Sequence, residues 1–359
     1  RRPEGAMAAA AHSRALFAAM RLTADSGRLA YTELPAGWLS LPHLPTEIGK
    51  GCLLALPDSD VVAPLDAAAL AQIKALRLAG ARVGWAGAAT QASPPDFAVV
   101  HPIGDNLSSL RSRGLPLLAR DVDDIELLEA ALRAGVELAC CSIVQHSEPK
   151  DAQPIAPQMP RLCHLLNRLV QGAETGPVVA DIKADVGLAY RLLHHFNNVG
   201  VGGGRSIESI EQAVLLLGRN ELYRWLSVLL IRFAAERPAA TALKEIALAR
   251  ARLFELLAID AKEPAPGSLF TLGLASMLGL LMNVKLADAV EPLNLPEAAR
   301  EALLFGRGPW MAYLALATAL EQGGAQTETL ALPFGGLARV IERSAEAWAW
   351  SQDAGDDPV

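Results

Sequence analysis

Seven histidines, four cysteines and 39 acidic side chains carry the chemical potential of this 359-residue chain, and their spacing argues against most of what they could do. A metal centre that activates water through paired histidine and aspartate needs those donors side by side, yet none of the seven histidines is followed by aspartate or glutamate. His194 and His195 are adjacent on one helical segment, so their side chains point about 100° apart and do not chelate a common ion. A surface or partly buried structural role is expected for them, with a partner contact as the alternative. The glycine run Gly200 to Gly204 invites comparison with a phosphate cradle, but such cradles follow a strand and open a helix. This run follows a helix and reads as a turn, with Arg205 beside it as a candidate contact for a partner. Asp123 and Asp124 precede the amphipathic segment Ile125 to Glu129 and are better placed as a helix N-cap with favourable dipole charge than as catalytic acids.

Composition narrows the classes further. Hydrophobic residues make up 52% of the chain and charged residues 20%, which describes packed domains, with frayed ends expected at Arg1 to Met7 and Asp353 to Asp357. The formal net charge is -7, and residues 1–150 carry 14 basic against 16 acidic side chains, the remainder 18 against 23. Neither half has the cation excess that phosphate neutralisation requires, so nucleic acid is not an expected partner. Cys52, Cys140, Cys141 and Cys163 form no C-x-x-C pair and suggest a reducing, cytoplasmic setting. No basic-then-apolar leader is visible. The longest uncharged apolar run, Leu269 to Val284, is shorter than the ~20 residues a membrane span needs, so a buried core helix is expected there and membrane insertion is not.

The elements that would position any site differ between the two halves. Short apolar strands at Leu29 to Thr32, Cys52 to Leu56, Ala81 to Trp85, Phe97 to Val100, Leu115 to Ala119 and Val136 to Ile143 alternate with helical crossovers. The clearest of these, Ala67 to Ala79 and Asp124 to Ala134, each end in glycine and run into the next strand, as in parallel βαβ units. Six such strands predict an incomplete barrel over residues 8–146. Barrels of this kind do their chemistry at the carboxyl ends of their strands. Here those ends read Thr32-Glu33, Leu56-Pro57, Ala86-Gly87, His101-Pro102, Arg120-Asp121 and Cys141-Ser142, and among them only Glu33 and Asp121 could contribute to a metal-carboxylate site. A proline-rich linker spans 147–160. Beyond it, over 161–352, every pattern is helical. Val186, Ala189, Leu192, Leu193 and Phe196 recur at helical spacing, Ser209 and Gln212 have the form of a capping box, and Gly218 marks a helix stop. The helices flanking Gly218 mimic a helix-turn-helix, but Leu222, Trp225, Leu226 and Val228 to Ile231 leave little polar surface for base edges.

Asp185-Val-Gly-Leu-Ala-Tyr-Arg-Leu-Leu-His-His-Phe-Asn197, Ser209-Ile-Glu-Gln-Ala-Val-Leu-Leu-Leu-Gly218 and Leu222-Tyr-Arg-Trp-Leu226 resemble the HDOD domain family, and the likeness continues through Ala249 to Ala258, Leu269 to Gly279 and Leu295 to Glu297. The resemblance implies a helical bundle related to HD-type phosphohydrolases. The family segment "G-L-L-H-D-I-G" aligns with Gly273-Leu-Ala-Ser-Met-Leu-Gly279, which puts Ser276 and Met277 on the ligand positions; a hydroxyl and a thioether are poor donors for a hard, water-activating ion. The upstream histidine position falls within Leu248 to Arg252, among cations. In the final predicted helix, Leu337 to Trp350, the residues Leu337, Val340, Ile341, Ala345 and Trp348 share one side, and Trp348 and Trp350 are candidate anchors for a partner.

The front half is similar to the EAL domain, a cyclic di-GMP phosphodiesterase barrel, in the arrangement that precedes an HDOD domain. Ala30-Tyr-Thr-Glu-Leu-Pro35 resembles "F-x-N-x-x-P" with Glu33 at the asparagine, Cys52 to Leu56 stands where "V-x-L-E" is expected, Gly80 to Gly87 resembles "G-x-x-x-A-x-D-D-F" without its aspartates, and Leu117 to Asp123 resembles "L-x-A-E-x-V-E" with Arg120 at the glutamate. The E-A-L strand has no counterpart ahead of Ala30, and Glu301-Ala302-Leu303 lies in a helix of the back half. Together these resemblances imply an α/β plus all-α protein: a degenerate TIM-like barrel followed by an HD-related bundle. The expected role is non-catalytic bacterial signal transduction with other signalling proteins as partners, without cofactor or metal, and homo-oligomers are possible. The alternative is a non-hydrolysing cyclic dinucleotide receptor using Arg120 and the arginines near Gly204.

Overall fold

A computed structural model describes residues 6–25, 27–34, 38–41, 43–56, 66–86, 94–102, 107–112, 114–141, 158–171, 174–199, 209–232, 238–322 and 326–356. The chain divides into two compact units, Arg1–Ile143 and Val144–Val359.

The first unit is a parallel six-stranded sheet in sequential order, β1 (Ala30–Glu33), β2 (Cys52–Leu56), β3 (Arg82–Ala86), β4 (Ala98–Val100), β5 (Leu117–Val122) and β6 (Leu138–Cys141). All six fall where the sequence predicts strands. β2 and β4 are buried at every position, whereas the outer strands β1 and β6 are only partly buried. The crossover helices Ala67–Leu78 and Ile125–Arg133 start where Asp66 accepts from the Ala69 amide at 2.7 Å and Asp124 accepts from the Leu127 amide at 2.6 Å. The N-cap reading of Asp124 is therefore correct. Both helices end with a glycine at positive φ, Gly80 at 94° and Gly135 at 92°, which turns the chain directly into β3 and towards β6.

One difference is large. The first element is a helix, Ala6–Asp25, where the sequence pattern predicts no element and the first residues are expected to fray. Alanine fills so many of its positions that no apolar stripe stands out. Its anchors are Phe17 and Met20, both buried, with the Phe17 ring edge-on to Trp38 at 5.7 Å. They join Leu54, Leu56, Ile73, Leu76, Val83 and Trp85 in a core on one face of the sheet. The other face carries Leu53, Ala55, Phe97, Val99 and Leu118, with Tyr31, Leu138 and Cys140 packed against them. Gly84 lies on this second face beside the Phe97 ring; a Cβ there would come within 2.4 Å of it.

The described residues of the second unit form helices. The elements used below are α1 (Gln158–Val170), α2 (Val186–Val199), α3 (Ile210–Arg232), α4 (Ala240–Asp260), α5 (Pro266–Ala275), α6 (Met311–Gln322) and α7 (Leu337–Asp356). The start of α1 at Gln158 trims the linker reading, whose last three residues are helical; residues 142–157 lie outside the described set. Ser209 accepts from the Gln212 amide at 3.1 Å, and Gly218 breaks α3 with φ 68° and ψ 173°. The uncharged run Leu269 to Val284 is mostly buried, as expected, but it is not one helix: Pro266–Ala275 ends before Ser276 and a second helix, Leu278–Met282, follows. Among the described residues no helix is long and apolar enough to cross a membrane.

Two stripes are rotated from their predicted faces. On α2, Leu188 and Leu192 are buried while Val186 is 82% exposed, because Asp185 caps the helix through the Leu188 amide and leaves Val186 in the outer first turn. On α7, Val340, Ala347 and Ser351 are buried, whereas Ile341 is half-exposed and Ala345 is exposed. That helix also continues to Asp356, through most of the stretch Asp353 to Asp357 expected to fray.

Candidate functional site

In the first unit, side-chain alternation builds a polar layer at the carboxyl edge of the sheet. Glu33, His101 and Arg120 stand two residues beyond Tyr31, Val99 and Leu118, so they face the same side as that apolar cluster. Arg120 is mostly buried, and its guanidinium meets His101 and Glu33, with Asp121 Oδ2 3.7 Å from Nε. Its Nε and Nη2 donate to His101 Nε2 at 3.0 and 2.8 Å, and Nη1 donates to Glu33 Oε1 at 3.3 Å. With Nε2 accepting, the His101 ring proton belongs on Nδ1, which lies 3.4 Å from Asp121 Oδ2. Asp121 has a φ of 56° and sits where the β5–β6 register shifts between Ala119 and Val122. This extra residue keeps Arg120 on one face while returning Val122, 1% exposed, to the other. Beneath the layer, burial and the nearby Cys140 raise the Tyr31 hydroxyl above its ordinary range, and burial with Cys141 pushes the Cys140 thiol up to about 11.

The two carboxylates that the strand-end inventory singled out are thus both held by protein cations or imidazole. His101 appears in that inventory without a role, and the structure makes it the acceptor that organises Arg120. Nothing local in the sequence marks it.

The second place lies where α4 and α5 cross. A Cβ at Gly273 would stand 2.6 Å from Ala251 Cα, so the two backbones nearly touch there. That approach sets Arg250, 7% exposed, against Ser276: Arg250 Nη1 donates to Ser276 Oγ at 2.9 Å, and Ser276 Oγ donates to the Gly273 carbonyl at 2.6 Å. Arg250 Nη2 pairs with Glu321 at the end of α6. Beside this cluster, Arg252 donates to the buried Glu255 at 2.6 Å, and Glu255 also pairs with Arg224. Among the described residues, no group of three His, Cys, Asp or Glu side chains could hold a metal ion.

The interaction candidates distribute as follows. His194 stacks on Tyr190 at 5.7 Å and His195 faces Trp225 at 6.2 Å, so the two rings serve different neighbours. Trp350 packs edge-on against Phe270 at 6.0 Å and beneath the Arg252 guanidinium at 5.9 Å, while Trp348 is half-buried. Arg205 and the glycine run lie outside the described residues.

The family model described as the HDOD domain matches residues 156–304. That segment contains α1 to α5 and the Arg250–Ser276 contact; α6, α7 and Glu321 lie beyond it. Among curated proteins, the chain is 27% identical over 224 residues to "Uncharacterized protein YuxH" of Bacillus subtilis, covering 62% of this chain and 55% of that one. It is 28% identical over 176 residues to "Cyclic di-GMP phosphodiesterase CdgJ" of Vibrio cholerae, covering 48% of this chain and 40% of that one. The chain thus spans about half the length of the curated relatives it matches. No solved structure gives a significant match.

Proposed function

We propose that this chain is a non-catalytic bacterial signal-transduction module that works by binding other signalling proteins. The observation that carries this reading is the way charge is spent at both places described above. Glu33 and Asp121 engage Arg120 and His101, and the buried Arg250 guanidinium lies between Ser276 and Glu321. A guanidinium is a fixed cation without Lewis-acid character, so it can neutralise a carboxylate but cannot activate water. The HDOD match and a relative named for cyclic di-GMP hydrolysis support a setting in cyclic di-GMP or two-component signalling. In this reading the six-stranded half-barrel is a degenerate EAL-like domain and the protein is cytoplasmic. Val186, Tyr190, Leu215 and Leu216, all exposed on α2 and α3, are apolar surface available to a partner.

The test is turnover. Purified protein incubated with cyclic di-GMP or nucleotides and Mg²⁺ or Mn²⁺ is expected to give no hydrolysis product, and metal-dependent turnover abolished by Glu33→Ala or Asp121→Ala would overturn the reading. A non-hydrolysing cyclic dinucleotide receptor is the second reading, favoured by Arg120 at the carboxyl edge of the sheet; saturable heat on titration with cyclic di-GMP, lost in Arg120→Ala, would select it.

A further inference from the structure

The helical unit contains a cavity of about 530 Å³ bounded by the ends of α1 and α4, the stretch of α3 just after its Gly218 break, the α4–α5 connection and the start of α5. Its size falls in the range of small-molecule sites. Its chemistry is divided. Tyr223, partly buried, supplies an aromatic surface, and its hydroxyl is tied down by Thr271 Oγ1 at 3.0 Å; Phe270 borders the cavity but is only 1% exposed. Pro264, Pro266 and Pro296 line the walls and stiffen them.

Two cations line the same cavity. Arg219 is anchored through Nη1 to the Leu169 carbonyl at 2.9 Å, which closes the end of α1. Arg224 is held more firmly: Nη2 pairs with the buried Glu255, and its guanidinium lies 5.6 Å from the Phe270 ring centroid. Its remaining partner, Glu221, is half-exposed and reaches Nη1 at 3.1 Å from one turn away on the same helix. Pairs of this kind contribute little and exchange readily. A ligand anion can therefore take the place of Glu221 on Arg224 without disturbing the contact that fixes the guanidinium.

We propose that this cavity binds a small aromatic anion, a flat ring against Tyr223 and the proline wall with a carboxylate or phosphate on Arg219 and Arg224. The site uses neither Arg120 nor Arg250 and stands independently of the functional reading.

Phenyl phosphate and benzoate serve as probes, with inorganic phosphate and benzyl alcohol as half-ligands. Calorimetric titration of the full chain is expected to give saturable binding of at least one probe, weaker binding of both half-ligands, and affinity that falls as salt rises. Arg219→Ala is expected to weaken the probe at least tenfold. Glu221→Gln is expected to tighten it several-fold, because it removes the competing carboxylate. Gly267→Leu provides a variant that removes no charged group: Gly267 lines the cavity and a Cβ there meets no atom within 4 Å, so the added side chain is expected to take up cavity space. It should abolish binding while the unfolding midpoint stays in place. Absence of saturable heat with both probes at millimolar concentration, or binding that Gly267→Leu and Arg219→Ala leave unchanged, would overturn the proposal.

Discussion

The Arg250 guanidinium shows how one side chain decides what a place in a fold can do. It is 7% exposed on the full residue, whereas the side chain of its partner Glu321 is 27% exposed, and this asymmetry predicts unequal costs. Arg250→Met removes the buried charge, retains much of the volume and leaves a carboxylate that water can reach. Glu321→Ala strands a buried cation with only a serine oxygen beside it, and an uncompensated buried charge costs about 3–5 kcal/mol. Urea unfolding should therefore place Glu321→Ala below Arg250→Met in midpoint; the reverse order would show that Arg250 is hydrated. The cysteines give a second residue-scale expectation. Burial pushes both Cys140 and Cys163 up to about 11, so at pH 8 roughly one thiol in a thousand is the reactive thiolate. Iodoacetamide should modify both far more slowly than a free thiol, with rates that climb steeply above pH 10. Rapid modification of either at pH 8 would mean that its surroundings open.

At the scale of elements, α7 is clasped onto α4 by Asp260, which accepts from Arg339 at 2.9 and 3.0 Å and from Arg343 at 2.9 and 2.7 Å. Hydrogen bonds from Arg343, then Arg339, hold the Asp260 carboxyl well below the usual carboxylate range. A depressed pKa contributes stability that is complete above the unfolded value near 4 and is lost as pH falls through the lower folded value. Asp260→Asn should cost about 1–2 kcal/mol near neutrality, and the gap to the native protein should shrink as the pH drops below about 4. A gap that persists at the lowest accessible pH would assign the effect to packing rather than charge. These elements were largely legible beforehand because their signals are local: aspartate caps, glycine stops, short apolar runs. The first helix was not, since alanine gives no contrast between its faces. The site partners were not either. Glu33 meets Arg120 across 87 positions and Arg250 meets Glu321 across 71, and no short-range pattern encodes such pairings.

At the scale of the whole molecule, two units with separate cores should unfold as two cooperative transitions. Two glycines, one in each unit, mark where backbone crowding makes the assignment. A Cβ at Gly84 would press into the Phe97 ring at 2.4 Å and its carbonyl at 2.5 Å, and a Cβ at Gly273 would meet the Ala251 backbone at 2.6 Å. Neither neighbour can yield cheaply, so alanine at each should destabilise by about 1–3 kcal/mol through overpacking. Independent units require that each change move one transition and leave the other in place, since distant sites without shared partners act additively. Scanning calorimetry of Gly84→Ala, Gly273→Ala and the double variant reads this directly. If either single change shifts both transitions together, the chain unfolds as one cooperative body, and a ligand or partner gripping one unit then stabilises the other as well.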